Sequence, residues 1–155
     1  MSRAVRVAVI GHVEWVTHAR GVFPGPGRIT RLADPFDEPA GGGGVAASQA
    51  AKLGAETHFF TALGSDDACD RAVAALGAAG VRLHVARREA PQTRAITATA
   101  DDGDRAIAVL GPATDPRAAD DLPWELLDDC DSVYFTGRDP EVLRLARRAR
   151  RLVVT

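Results

Sequence analysis

Four consecutive glycines, Gly41 to Gly44, stand directly before the alanine-rich segment VAASQAAKL. Without a Cβ, glycine lets a ligand approach the backbone, and the free N–H groups of a helix starting there can hydrogen-bond hydroxyl or anionic oxygens. A flexible linker has the same composition. The run is wedged between a short strand excursion and an Ala-packed helix, which argues for a contact surface. On that reading an aspartate at position 43 removes ligand binding and leaves folding nearly untouched. A second candidate set follows the first apolar run: Gly11, His12, Glu14 and Trp15 come just after Val5 to Ile10. The carboxyl end of a strand in an open α/β sheet is where ligands bind, so these residues are placed to line a pocket, with Trp15 read as packing. Neither GxGxxG nor GxxxxGK[ST] occurs, which disfavours dinucleotide and P-loop chemistry. His12, His18, His58 and His84 lack metal-ligand spacing, so no metal is assigned to them. His58 and His84 fall in strand-like runs, where a satisfied structural role is expected.

The elements that must hold these residues belong to a chain of 155 residues, 46% apolar and 26% charged, which fits one α/β domain. A formal net charge of -2 offers no global basic field, so neither nucleic acid nor an anionic membrane is an expected partner. Cys69 and Cys130 lie far apart without a CxxC, and the amino terminus lacks a cleavable leader pattern. No run of 18 apolar residues occurs, and a cytoplasmic protein is expected.

Val5 to Ile10 reads as a buried, central first strand. Residues 21–44 are rich in Pro and Gly, with short alternating pieces at 28–33 and 35–38, an excursion from the main sheet. A helix over 45–53, a strand over 57–63, a helix capped by Ser65 or Asp66, and a strand over 81–86 follow. The segments 93–100 and 105–110 flank Asp101-Asp102-Gly103-Asp104 and predict an antiparallel hairpin that stands off the main sheet as a lid, with 28–38 as its third strand. A short helix over 122–127, a strand over 132–136, an Arg-rich helix over 141–148 and a strand over 152–155 complete a βαβ rhythm. The fold class is α/β, a doubly wound, mostly parallel sheet with a small antiparallel β lid. The final strand has no helix to cover it, and the chain is expected to be the front part of a longer protein.

The strand ending in Gly11-His12, the segment FPGPGRI, the stretch EPAGGGGVAASQAAKLGAETHFFTALGSDDACDRAVAALGAAGV and the hairpin QTRAITATADDGDRAIAVL together resemble the amino-terminal portion of the ribokinase-like, PfkB-type carbohydrate kinases. The resemblance implies a lid closing over a sugar or sugar-like alcohol, with Glu14, Gly42, Gly43, Gly44 and Arg94 as substrate contacts. It also implies ATP and Mg2+ in the complete enzyme, and a homodimer through the lid. Two positions depart from the family pattern. Val16 stands where the family has an acidic residue, and Val45 where it has Asn, so Glu14 takes the acidic role and the substrate is expected to be atypical. The GAGD-type segment that carries the family's catalytic base is missing, so no catalytic residue is assigned within this chain. The competing reading is a non-catalytic sugar- or metabolite-binding module.

Overall fold

A computed structural model describes residues 3–155. Five strands form a wholly parallel sheet in the order β5-β4-β1-β8-β9: β1 is Arg6–Ile10, β4 Glu56–Leu63, β5 Arg82–Arg87, β8 Ser132–Phe135 and β9 Leu152–Val154. Strand β1 is central, as its unbroken apolar run requires. Its alternate residues feed two cores. Ala8 and Ile10 join Phe60, Trp124, Leu127 and Val142 on one face, while Val9 joins Phe59, Ala47 and Leu76 on the other. The second face is covered by α1 (Gly41–Lys52) and α2 (Asp67–Ala78). The first is covered by a 3-10 turn (Trp124–Asp129) and α3 (Pro140–Ala146). The Asp66 carboxylate caps α2, accepting from the Cys69 N–H at 3.2 Å.

A second sheet of four strands runs in the order β3-β2-β6-β7, with β2 Glu14–Arg20, β3 Ala33–Ala40, β6 Arg94–Thr99 and β7 Arg105–Leu110. The hairpin β6–β7 is antiparallel and stands apart from the parallel sheet. Its neighbour is not the excursion, however. Strand β2 lies between β3 and β6 and pairs with β6 in parallel, and residues 28–32 precede β3 without joining it. Strand β2 escapes sequence patterning because its two faces read Glu-Val-His-Arg and Trp-Thr-Ala, neither of them apolar throughout. The two sheets are joined by Gln92, whose side chain is buried. It accepts from the Gly64 N–H at 2.9 Å and donates to the Val13 carbonyl at 2.7 Å.

The glycine run is the first turn of α1, four residues earlier than its composition suggests. A Cβ on Gly43 would stand 2.7 Å from the His12 carbonyl oxygen and 2.7 Å from the Phe59 ring, so only glycine lets the helix approach this closely. Gly44 faces Val13 in the same way. These contacts make position 43 a packing site and reverse the expectation that an aspartate there would spare the fold.

His58 and His84 sit side by side on β4 and β5. Nδ1 of His58 and Nε2 of His84 are 2.9 Å apart, and Nε2 of His58 lies 3.3 Å from Glu56. Arg6 and Arg82 share the Glu56 carboxylate, and Glu125 faces the pair from the 3-10 turn. Burial, then the neighbouring His58, holds His84 below the ordinary imidazole range, against the pull of Glu125.

Two measurements check this packing. Gly43→Ala should lower stability by about 1–3 kcal/mol through overpacking. Gly77→Ala, in α2 with nothing within 4 Å of the new methyl, should hold or raise it by up to about 1 kcal/mol. Chemical denaturation of both variants reads the contrast. Because the folded protein binds a proton at His84 less readily than the unfolded chain does, stability should be full above the ordinary histidine pKa of about 6.5 and fall as pH drops below it. Melting curves from pH 8 to 5 should show that fall in the wild type and a shallower one in His84→Phe.

Candidate functional site

The chain lays down β1, β4 and β5 in one direction, then crosses back to place β8 and β9 on the other side of β1. Strand order therefore reverses between β1 and β8, and a crevice opens at their carboxyl ends, the place where open α/β sheets bind ligands. Thr136 closes its floor by donating its N–H to the Ile10 carbonyl at 2.9 Å. The amino end of α1 sits over this floor, so close that a Cβ on Gly42 would lie 2.7 Å from the Thr136 hydroxyl. That position follows from one local arrangement: the His12 carbonyl accepts from the N–H groups of both Gly43 (3.0 Å) and Gly44 (3.2 Å).

From this floor a cleft of about 720 Å³ runs outward between α1 and one face of the second sheet. Strand parity decides what lines it. Glu14, Val16 and His18 of β2 face the cleft, as do Ala95, Thr97 and Thr99 of β6 and Arg105 and Ile107 of β7. Gly41, Gly42 and Val45 come from α1, and Tyr134 from β8. Glu14 is the carboxylate nearest the floor, with Nε2 of His12 3.9 Å away, while Nδ1 of His12 lies 4.0 Å from Asp115. Farther out, His18 stacks on Phe36 at 4.9 Å and pairs with Glu38 at 3.2 Å. The cleft can hold a hydroxylated molecule at a carboxylate and a glycine backbone, beside a largely apolar wall.

The structure separates the residues expected to act together. Glu14 and Gly42 share the cleft, whereas Gly43 and Gly44 face the protein interior. Arg94 occupies the opposite face of β6 from Ala95 and Thr97 and pairs with Asp66 at 3.4 Å and Asp67 at 3.1 Å at the start of α2. Its expected substrate contact is corrected to a strut between sheet and helix. Trp15, also turned away from the cleft, lies under the Arg71 guanidinium at 5.0 Å. His18, Thr97, Arg105, Ile107 and Tyr134 were not singled out by sequence, and only the period-2 pattern of β6 and β7 could have flagged some of them. Among the described residues no group of three His, Cys, Asp or Glu is arranged to hold a metal ion, and no helix is long and apolar enough to cross a membrane.

The same architecture recurs in solved structures. Ribokinase from Thermotoga maritima superposes with a TM-score of 0.75 at 20% identity, over 97% of this chain and 52% of that one. Adenosine kinase from Sinorhizobium meliloti gives 0.78 at 18% identity, over 98% and 56%. Arabidopsis thaliana ribokinase complexed with ribose and ATP gives 0.71 at 20% identity, over 98% and 53%. The chain thus spans about half the length of these structures. No curated protein matches it significantly. The sequence profile of the pfkB family carbohydrate kinases matches residues 6–152, nearly the whole chain, and with the doubly wound sheet and its attendant second sheet this establishes that the chain belongs to that family.

Proposed function

We propose that the chain carries the acceptor-binding part of an ATP-dependent phosphotransferase acting on a sugar or sugar-like alcohol. The observation that carries this reading is the cleft at the reversal of strand order, where the Glu14 carboxylate stands beside the first turn of α1 under the second sheet. Family membership supports kinase chemistry, and the ribose and ATP held by the Arabidopsis structure support a sugar acceptor and an ATP donor.

In this reading each residue has a distinct task. The Glu14 carboxylate accepts hydrogen bonds from two neighbouring hydroxyls, charge-assisted and therefore stronger than neutral pairs. The Gly42 N–H, only 3.4 Å from Nε2 of His12 and thus loosely engaged, donates to a third oxygen. The second sheet closes over the acceptor as a lid, with β3 and the β6–β7 hairpin moving about the Gln92 joint, and excludes water from the reacting hydroxyl. Phe36 and Val109 remain exposed on one face of that sheet and give a second copy of the chain an apolar surface for a homodimer.

ATP, when bound, supplies the phosphoryl group, and Mg2+ shields its charge. The residues present do not form that donor site. The N–H groups of Gly43 and Gly44 are already committed to the His12 carbonyl, and the space around them is filled by Phe59 and Val13. By the family resemblance the donor side belongs to a GAGD-type segment, which the sequence lacks. These residues therefore bind and orient the acceptor and perform no transfer step.

Two outcomes are expected. Titration calorimetry with a panel of pentoses, hexoses and ribosides should find an acceptor whose affinity falls at least tenfold in Glu14→Gln, a loss of about 1.4 kcal/mol, with the melting temperature held. Unchanged affinity would remove Glu14 from the site. A coupled ADP-release assay on the 155-residue chain should show no sugar-dependent turnover with that panel. Turnover would place a base and an anion hole within these residues and overturn the division of roles.

A further inference from the structure

The His12 side chain has no task in the acceptor reading above, yet its ring stands at the floor of the cleft between two carboxylates. Its carbonyl fastens α1, and its ring faces two ways. Nε2 accepts from the Gly42 N–H at 3.4 Å and lies 3.9 Å from Glu14. Nδ1, on the other side, is 4.0 Å from Oδ1 of Asp115. Asp115 is itself fixed at two points. Arg138 grips its Oδ2 alone, through both Nε at 2.8 Å and Nη2 at 2.7 Å, and the Arg88 guanidinium donates to its backbone carbonyl at 3.1 Å. Oδ1 is buried and has no hydrogen-bond partner among the described residues.

An orphaned, buried carboxylate oxygen carries a desolvation cost, and the ring nitrogen facing it is the donor that removes that cost. Because Nε2 accepts from Gly42, the ring proton belongs on Nδ1, toward Asp115. The separation of 4.0 Å exceeds hydrogen-bond length by about 1 Å, which a small turn about the broad χ2 torsion of histidine covers. The ring is thereby set with its Nε2 lone pair beside Gly42 and Glu14. At 3.4 Å the Gly42 N–H and Nε2 satisfy each other poorly. One hydroxyl satisfies both, its oxygen accepting from Gly42 and its proton going to Nε2. An ionised carboxylate has no proton for Nε2 and is repelled by Glu14, and a methyl group answers neither partner.

We infer that His12 is an acceptor-binding residue, held as the Nδ1–H tautomer by Asp115, and that one neutral hydroxyl of the acceptor inserts between its Nε2 and the Gly42 N–H. Asp115 acts through the ring and is a positioning residue, as is Arg138 behind it. This rests on the acceptor role proposed above for the same cleft.

Two measurements on the 155-residue protein test it. Long-range 1H–15N correlation spectra at pH 8 should show His12 of the wild type as the Nδ1–H tautomer. In Asp115→Asn, Arg138 claims the one amide oxygen and leaves the NH2 group facing Nδ1, so the ring should move to the Nε2–H form. Titration calorimetry with D-ribose, D-fructose, D-glucose and inosine then reads whichever binds the wild type most tightly. His12→Ala should weaken that ligand at least tenfold and Asp115→Asn at least threefold, whereas His12→Gln, whose amide oxygen still accepts, should cost less than threefold. If the wild-type ring is the Nε2–H tautomer, or if His12→Ala binds as tightly as the wild type while Glu14→Gln does not, the inference is overturned and the acceptor cleft stands. Equal losses in His12→Ala and His12→Gln with none in Asp115→Asn would assign the ring to packing against Gly41 and overturn it as well. Should His12→Ala fail to fold, the wild-type tautomer and Asp115→Asn still decide. If none of the four ligands binds in the millimolar range, the acceptor reading fails and the inference falls with it.

Discussion

The His12 carbonyl, accepting from Gly43 and Gly44 at once, is the contact on which the rest of the site depends. It fastens the amino end of α1 to the turn between β1 and β2, with the Phe59 ring against the same glycine. Three consequences follow. Helix α1 lies flush on the parallel sheet, so Ala47 reaches the core beside Phe59 and Leu76. Gly42 is held over Thr136 at the reversal of strand order. Strand β2 leaves the turn at a fixed angle and starts the second sheet with Glu14 facing inward. One carbonyl thereby sets core, floor and anchor together. The arrangement spends two of the helix's free amides, so that Gly41 and Gly42 are left lining the cleft while the next two glycines serve packing.

The second constraint is Gln92. Its amide uses one donor and one acceptor to tie Gly64, at the end of β4, to Val13, at the start of β2. A buried amide with only one partner would carry a desolvation cost of about 1–3 kcal/mol, so the two bonds are made or lost as a set. Trp15, donating its N–H to the Thr93 carbonyl at 2.9 Å, continues the same seam into the β2–β6 pair. The hydrogen-bonded seam between the two sheets thus lies beside the floor, and Arg94 and Trp15 brace the second sheet against α2 on its other face.

Much of the parallel sheet was legible because its strands obey one rule: buried on both faces, they read as short apolar runs such as RVAVI and ETHFFTAL. The β6–β7 hairpin was legible from Asp102-Gly103, and the body of α1 from its alanines, although its start was placed four residues late and its glycine first turn was not read as helix. Glycine has low helix propensity, and only the contact with His12 and Phe59 overrides it, which is a tertiary effect that no local pattern carries. Strand β2 was missed for a related reason. One of its faces looks into a cleft, so polar Glu14 and His18 stand where a core-facing strand would carry apolar residues. The site hid the strand that bears it. Of the candidate site residues, Glu14 and Gly42 lie in the cleft, while Gly43 and Gly44, which belong to the same glycine run, and Arg94, which the family resemblance placed on the lid, face elsewhere.

Strand parity explains that division. In a strand the side chains alternate faces, so adjacent residues belong to different environments however close they are in sequence. Glu14 faces the cleft and Trp15 the Arg71 guanidinium, and one step apart on β6 Arg94 braces α2 while Ala95 lines the cavity. The cleft-facing surface of the second sheet is therefore a set of alternate positions on three strands. Its chemistry can change by substitution at Val16, Thr97 or Ile107 without touching the opposite face that holds the sheet to α2. At Val16 and Val45 this chain carries apolar side chains in the cleft, and the Glu14 carboxylate stands one row nearer the parallel sheet on the same scaffold.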